Sequence, residues 1–282
     1  MIVACGGWSD AGEAATGTIT HLLSVLGTSQ SGESEQESTA ELIAEIESED
    51  YYDFQVNRPM IVVNDSMIRN LTWPGLQIFG VRNLEGENDF VLVRGVEPSM
   101  RWRSFTSELL DLADDLEVEL VITLGSMLAD TPHTRAIPVS GTGAHPEIAT
   151  RLGMEVSRYE GPTGILAVIQ DGCVKRGIDA IALWAAIPHY ANATPSPKAT
   201  LALLNGIEDF LEINLPHGSL PELSHQWEAA VNEMVKEDSD IEEYIKSLEE
   251  SKDADQLGDE SGEELAREVE RFLRRQNNSN EN

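Results

Sequence analysis

Apolar residues follow two alternating patterns along this chain. Short, nearly continuous apolar runs occur at IVAC (2–5), ELVITLG (119–125) and within IDAIALWAAIPHY (178–190), as in strands covered on both faces. MIVVN (60–64), LQIFGV (76–81) and FVLVRG (90–95) read as three successive strands with turns between them, and AIPVSG (136–141) as a short one. Between these runs the apolar spacing changes to three and four. Ala15, Ile19, Leu22, Leu23 and Leu26 share a helical face that closes on Gly27, a suitable C′ residue. Trp102, Phe105, Leu109, Leu112 and Leu116 form a second stripe. Ile165, Val168, Ile169, Gly172 and Cys173 form a third, with Thr163 as its expected N-cap. SPKATLALLNGIEDFL (196–211) is a helix with Ser196 at the N-cap and Pro197 at N1, and HPEIATRLG (145–153) is a short one. Such alternation predicts an α/β domain, three-layer, around a mostly parallel sheet.

Two stretches break the pattern. Residues 31–54 hold nine acids and no base; Ser31 to Ser38 reads as a solvated loop, and STAELIAEIE (38–47) as a helix capped by Ser38, with Leu42, Ile43 and Ile46 at helical spacing. From about Pro216, SLPELSHQWEAAVNEMVKEDSDIEEYIKSLEE is helical in pattern, SKDADQLGDESGEE a polar break, LAREVERFLRRQ a further short helix and NNSNEN a frayed tail. Trp227, Val231, Met234, Ile241, Ile245 and Leu248 are placed to form an apolar stripe, expected to pack in cis or to offer a partner surface. The expected division is an α/β core over 1–215, with an acidic loop and helix insert at 28–54, and an acidic helical C-terminal extension over 216–282.

Charge narrows the function. With 19 basic and 50 acidic residues the chain carries a formal −31, which argues against DNA, RNA and anionic membranes as partners. There is no apolar run of about 18–20 residues and no basic n-region followed by an apolar h-region, so a soluble, cytoplasmic protein is expected. Met1 falls directly on a strand, which leaves room for a segment upstream. The two cysteines, Cys5 and Cys173, lie in apolar settings without a Cys-x-x-Cys partner and read as buried thiols. Lysine is scarce: Lys175 and Lys198 are the only ones before Lys236.

Ligands of open α/β sheets bind beyond the carboxyl ends of the strands. The first strand delivers Gly6, Gly7, Trp8, Ser9 and Asp10 there. The strand ending at Gly125 delivers Ser126, Asp130, His133 and Arg135, the strand near Ala186 delivers His189 and Tyr190, and Glu160 and Thr163 precede a helix. Together these residues are candidates to line one pocket. The opening GGWSDAGEAATG is not a phosphate loop: its glycines stand at 6, 7, 12 and 17 and no lysine is near. Asp10 followed by Glu13 fits a capping box, and an aspartate at the cap repels an anion. His133 is the best acid–base candidate and Arg135 a carboxylate or phosphate ligand. Ser126, Asp130 and His133 are the types of a nucleophilic triad, without a G-x-S-x-G elbow; the plainer reading is a loop pinned by hydrogen bonds from Asp130 and Arg135. His189, after a buried strand, suits a structural role. His133, His189 and Asp10 lack metal-ligand spacing, and neither a metal nor a cofactor is expected. Arg101 and Arg103 flank Trp102 and are expected to pair with acids. Trp8, Trp73 and Trp184 read as core or interface anchors.

Several strings in order, GGWSDAGEAATG, WPGLQIFGVR, RGVEPSMRWRSF, TLGSMLADTPHTRAIPVSGTG, SRYEGPTGILAVIQDG and LWAAIPHYANATPSPKATLALL, resemble the proteasome assembly chaperone 2 family in its prokaryotic branch, from residue 1 to about 211. Gly7, Trp8, Asp10, Ala11 and Gly12 fit that family's G-W-x-D-A-G string. The resemblance implies a fold similar to the purine nucleoside phosphorylase and peptidyl-tRNA hydrolase type. It also implies an interaction protein that helps proteasome α-subunits assemble. The ATP-grasp-like label attached to some prokaryotic members conflicts with two lysines in the core, since such a site needs lysines for phosphates and paired acids for magnesium. Members that plug into the proteasome carry a C-terminal hydrophobic-Tyr-X motif; this sequence ends NNSNEN, which implies another surface or another client.

Two readings of function follow. One is a non-enzymatic assembly factor; on this reading and the next a homo-oligomer is expected, by analogy a homotrimer, which Trp8 and Trp73 near turns would suit. The other is a phosphorylase- or hydrolase-like enzyme, or a binder, for a small nucleoside-like ligand. In it His133 or His189 is the acid–base group, Arg135 holds an anion, and Asp10 or Glu160 contacts the base or sugar.

Overall fold

A computed structural model describes residues 1–29, 40–64, 67–82, 89–236 and 239–259. The apolar run after Met1 forms β1 (Ile2–Gly6), which ends in a short 3-10 turn (Ala11–Glu13) leading into α1 (Ala14–Leu26). Then come β2 (Thr28–Ser29), β3 (Ala40–Ile46), β4 (Met60–Val63), β5 (Arg69–Thr72), β6 (Leu76–Val81), β7 (Phe90–Val96), α2 (Trp102–Asp115) and β8 (Leu120–Ala129). They are followed by β9 (Val139–Gly143), α3 (Pro146–Arg151), β10 (Glu155–Val156), α4 (Ile165–Arg176), β11 (Asp179–Pro188), α5 (Pro197–Leu211), α6 (Leu220–Val235) and α7 (Ser239–Asp259).

Nine strands form one sheet in the order β10-β9-β11-β8-β1-β7-β6-β3-β2. Its centre, β11, β8, β1 and β7, is parallel; β6 runs antiparallel to β7 and β3, and β9 antiparallel to β11. Side chains alternate across the plane of β1. Ile2 and Ala4 join Ile19, Leu22, Leu203 and Leu204 of α1 and α5 on one face. Val3 and Cys5 join Phe105, Leu109, Ile165 and Ile169 of α2 and α4 on the other. Both faces are therefore covered, which makes the expected three-layer, mostly parallel α/β fold. Cys5 and Cys173 both lie in the second layer, where burial pushes each thiol up to about 12, out of reach of thiolate chemistry.

The expected helix at 38–47 is instead the strand β3; its proposed cap, Ser38, lies outside the described residues, as does the 31–37 loop. Ala40, Leu42, Ala44 and Ile46 also fit a period of two, and antiparallel pairing with β6, irregular between Leu42 and Ala44, decides between the periods. It buries Ala40 and Ile46 and leaves Ile43 41% exposed. Tertiary pairing outweighs the few tenths of a kcal/mol per residue that separate helical propensities. MIVVN is a strand, but it stands outside the main sheet and pairs with RNLT (β5) in a separate hairpin. The strand expected at 119–125 continues to Ala129, so Ser126 belongs to β8 and not to the loop after it.

In the C-terminal part α6 and α7 pack in cis. Val231, Val235 and Ile245 are buried with Ala191, and Trp227, Ile241 and Tyr190 pack against them; Met234, expected in the stripe, is 44% exposed. The supposed polar break is helical through Asp259, while LAREVERFLRRQ and the tail lie outside the described residues. No described helix is long and apolar enough to cross a membrane.

Candidate functional site

The loop after β1 is fastened on three sides. Glu97 donates its N–H to the Gly6 carbonyl (2.8 Å), Ser126 donates its N–H to the Ser9 carbonyl (2.9 Å), and Ser196 donates its N–H to the Gly12 carbonyl (2.8 Å). Gly7 (φ 131°) and Gly12 (φ 60°) supply left-handed turns, and a Cβ on Gly12 would lie 2.9 Å from the Ser196 Cβ. The glycines of this stretch therefore serve the turn and close packing.

Asp10 is buried and caps α1, though not through the expected box. Glu13 adopts φ 51° and makes no cap bond. Asp10 Oδ1 instead accepts from the N–H of Ala15 (2.8 Å) and of Thr16 (3.2 Å), and Oδ2 accepts from the Thr16 hydroxyl (2.5 Å). Burial raises the Asp10 carboxyl above the usual carboxylate range, while the bonds from Thr16 and Ala15 oppose the shift. Ser9 and Ser126 are also buried, and the Ser126 hydroxyl donates to the Ala11 carbonyl (2.8 Å).

The cap of α4 was not visible in the sequence. Thr163 is exposed and makes no cap; Gly164 stands at the N-cap. The carboxylate arrives from Glu97, whose Oε1 accepts the Ile165 N–H at 2.7 Å. Gly164 leaves room for it: a Cβ there would lie 2.8 Å from Ser9 Oγ and 2.9 Å from Glu97 Oε1. The only signals were an acid just past a strand and a helix start without its own capping side chain. Glu97→Ala is expected to cost about 1 kcal/mol in chemical denaturation, and Glu97→Gln about half of that, because glutamine keeps the acceptor. Ser196, at the N-cap of α5 as expected, makes no cap bond with its side chain. Trp8 is 65% exposed beside Gly164; Glu160 lies on an exposed loop with Tyr159.

The candidates from β8 and β11 gather at a second place, under α6 and α7. His133 is 1% exposed. Its N–H donates to the Tyr190 hydroxyl (2.8 Å), which in turn lies 2.9 Å from Nδ1, and Nε2 is 3.1 Å from Asn232 Oδ1 of α6. The pattern assigns one tautomer: Nε2–H donates to Asn232, and Nδ1 accepts from Tyr190. Burial holds the imidazole below the ordinary histidine value; the Asn232 bond raises it and Lys198 lowers it further. Lys198 of α5 bridges the His133 carbonyl and Glu228 of α6. Arg135 binds Asp253 of α7 through two bonds of 3.0 Å and lies 3.4 Å from Glu249. It holds the Asp253 carboxyl below the usual range. Asp130 accepts from the Tyr244 hydroxyl (2.9 Å) and faces His189 Nδ1 at 3.3 Å, and Tyr244 meets His189 edge-on.

The one pocket expected from the sequence is thus two groups. Ser9, Asp10 and Ser126 lock the first loop. Asp130, His133, Arg135, His189 and Tyr190 dock the C-terminal helices. No group of three or more metal-ligating side chains occurs among the described residues.

This fold and these loops match a known family. The PAC2 family model matches residues 4–235. The chain belongs to the PAC2 family. The match ends with α6, beyond the residue 211 to which the resemblance of the strings runs, and leaves α7 outside it. A PAC2 family protein from Streptomyces avermitilis is 45% identical over 87% of this chain and 98% of that one, with a TM-score of 0.77. A proteasome-assembly chaperone homologue from Mycobacterium tuberculosis is 44% identical over 86% and 98% of the two chains, with a TM-score of 0.75. An archaeal proteasome activator from Pyrococcus furiosus, 16% identical over 83% and 92%, shares the fold at a TM-score of 0.60. No curated protein matches the chain significantly.

Proposed function

We propose that this PAC2 family protein is a non-catalytic assembly factor, itself a homo-oligomer, whose clients are proteasome α-subunits. The observation that carries the reading is that the strand-end groups are already engaged with the chain itself. Asp10 and Glu97 take amides of the two helix N-termini, where an anion would otherwise sit. His133 has both ring nitrogens bonded to Tyr190 and Asn232, and Arg135 is held by Asp253. A phosphorylase or hydrolase would need such groups free for anion binding and proton transfer. The proteasome-assembly chaperone homologue, 44% identical over nearly its whole length, supports the client class. The formal −31 supports a protein client over nucleic acid or an anionic membrane. A cytoplasmic homotrimer, with an α/β core over 1–215 and a helical extension over 216–282, belongs to the same proposal.

Purified proteasome α-subunits from the same host, mixed with the protein and followed by native mass spectrometry, are expected to form a defined complex and to reach rings at an altered rate. No complex at tens of micromolar, together with unchanged ring formation, would refute the client. Nucleosides with phosphate are expected to leave the Tm unchanged. A Tm that rises with their concentration would favour the small-molecule reading instead, since a ligand of the folded state must stabilise it.

A further inference from the structure

Among the described residues nothing covers either face of the β4–β5 hairpin. The four apolar residues of β4 are 50–64% exposed, and Met67, Ile68, Leu71 and Trp73 are 51–80% exposed. Ile61 stands opposite Leu71 and Val63 opposite Arg69 on one face; Met60 stands opposite Thr72 and Val62 opposite Asn70 on the other. A two-stranded ribbon with neither face covered is marginal in water. Eight exposed apolar side chains along one ribbon make the kind of patch that marks an interaction surface.

Charge indicates what covers it. The chain holds 50 acids, yet residues 55–73 contain two arginines, Arg58 and Arg69, against one acid, Asp65. Copies of a strongly acidic chain repel one another, so a contact between them needs a surface on at least one side where bases outnumber acids. Leu71 and Thr72 at the root of the hairpin, with Trp73 after them, wall a cleft of about 690 Å³ that is bordered by Glu45, Glu47 and Glu49. Hairpin laid on hairpin would leave the two arginines of each copy with one acid, Asp65, on the other. A head-to-tail arrangement sets them against the glutamates. We infer that the β4–β5 hairpin of one copy seats in the β3–β5 cleft of a second copy, with Arg58 and Arg69 facing Glu45, Glu47 and Glu49. This names the contact behind the self-association part of the proposed function and rests on that part alone. Such a heterologous contact closes into a ring when the rotation permits.

Sedimentation velocity on the purified full chain tests it without any proteasome subunit, so its failure leaves the client reading untouched. The unaltered chain is expected to sediment as an oligomer. Arg58→Glu/Arg69→Glu and Glu47→Arg/Glu49→Arg are each expected to weaken association about tenfold or more, and an equal mixture of the two variants to restore a mixed complex. All four side chains are exposed, so circular dichroism and Tm are expected to stay unchanged. A monomeric unaltered chain, variants that associate normally, or a mixture that does not recover would overturn the inference. So would arginine variants that keep the oligomer but lose an α-subunit complex, or that lose binding to anionic vesicles; these would assign the hairpin to a client or to a lipid surface.

Discussion

Asp10→Ala is expected to lower the stability of the folded chain by about 2–3 kcal/mol, and Asp10→Asn by less than about 1 kcal/mol. The difference follows from what the carboxylate does. It accepts from two α1 amides and from the Thr16 hydroxyl in a buried turn. Alanine leaves those donors without an acceptor away from water, which is the costly direction of losing a hydrogen bond. Asparagine keeps one oxygen for the amides, and its NH2 group can donate to the Thr16 hydroxyl, which accepts as readily as it donates. Burial already disfavours the charge on Asp10, so its neutral isostere loses little. Urea denaturation measures both variants, and client binding by Asp10→Asn is expected to match the unaltered chain. A loss below about 0.5 kcal/mol for Asp10→Ala would show that the cap does not hold the turn. Loss of a function in a stably folded Asp10→Asn would return Asp10 to the catalytic reading.

The parts of this fold legible in the sequence are those where one local signal dominates. Pro197 with a following apolar stripe marks the start of α5, and the unbroken ELVITLG marks a strand covered on both faces. AELIAEI is ambiguous because its apolar residues satisfy both periods, and a neighbouring strand some thirty residues on decides between them. Glu97 is less legible still: it caps a helix 68 residues away, and no window around either residue contains both. For the same reason the strand ends could be located while their occupants could not. His133 and Arg135 lie where ligands of α/β sheets bind, but Asn232, Glu249 and Asp253 arrive from about a hundred residues further on. Side chains with the chemistry of a site serve here as sockets for the chain's own helices.

Acidification from about pH 7.5 to about pH 5 is expected to loosen α6 from the core before the rest of the chain unfolds. His133 is neutral in the folded chain, and burial keeps its value below the ordinary 6.5. The undocked state therefore takes up a proton first. The stability that His133 contributes is full above about pH 6.5 and falls as the pH drops below it. The charged groups around it divide: Lys198 opposes the imidazolium, while Glu228 and Glu249 favour it, and the net direction is downward. A proton on Nδ1 would point at the Tyr190 hydroxyl, whose own proton now fills that bond. Arg135 holds the Asp253 carboxyl below the usual carboxylate range, so that ion pair to α7 survives this window. Hydrogen exchange of α6 amides and the fluorescence of Trp227 are expected to report the loosening. His133→Ala is expected to cost about 2–4 kcal/mol and to flatten the pH response between about 6.5 and about 5, because Tyr190 and Asn232 lose their shared partner. A response of undiminished size in that variant would assign the titration to another group, and α6 protection that is unchanged down to about pH 5 would rule out His133 as the residue that couples docking to protons.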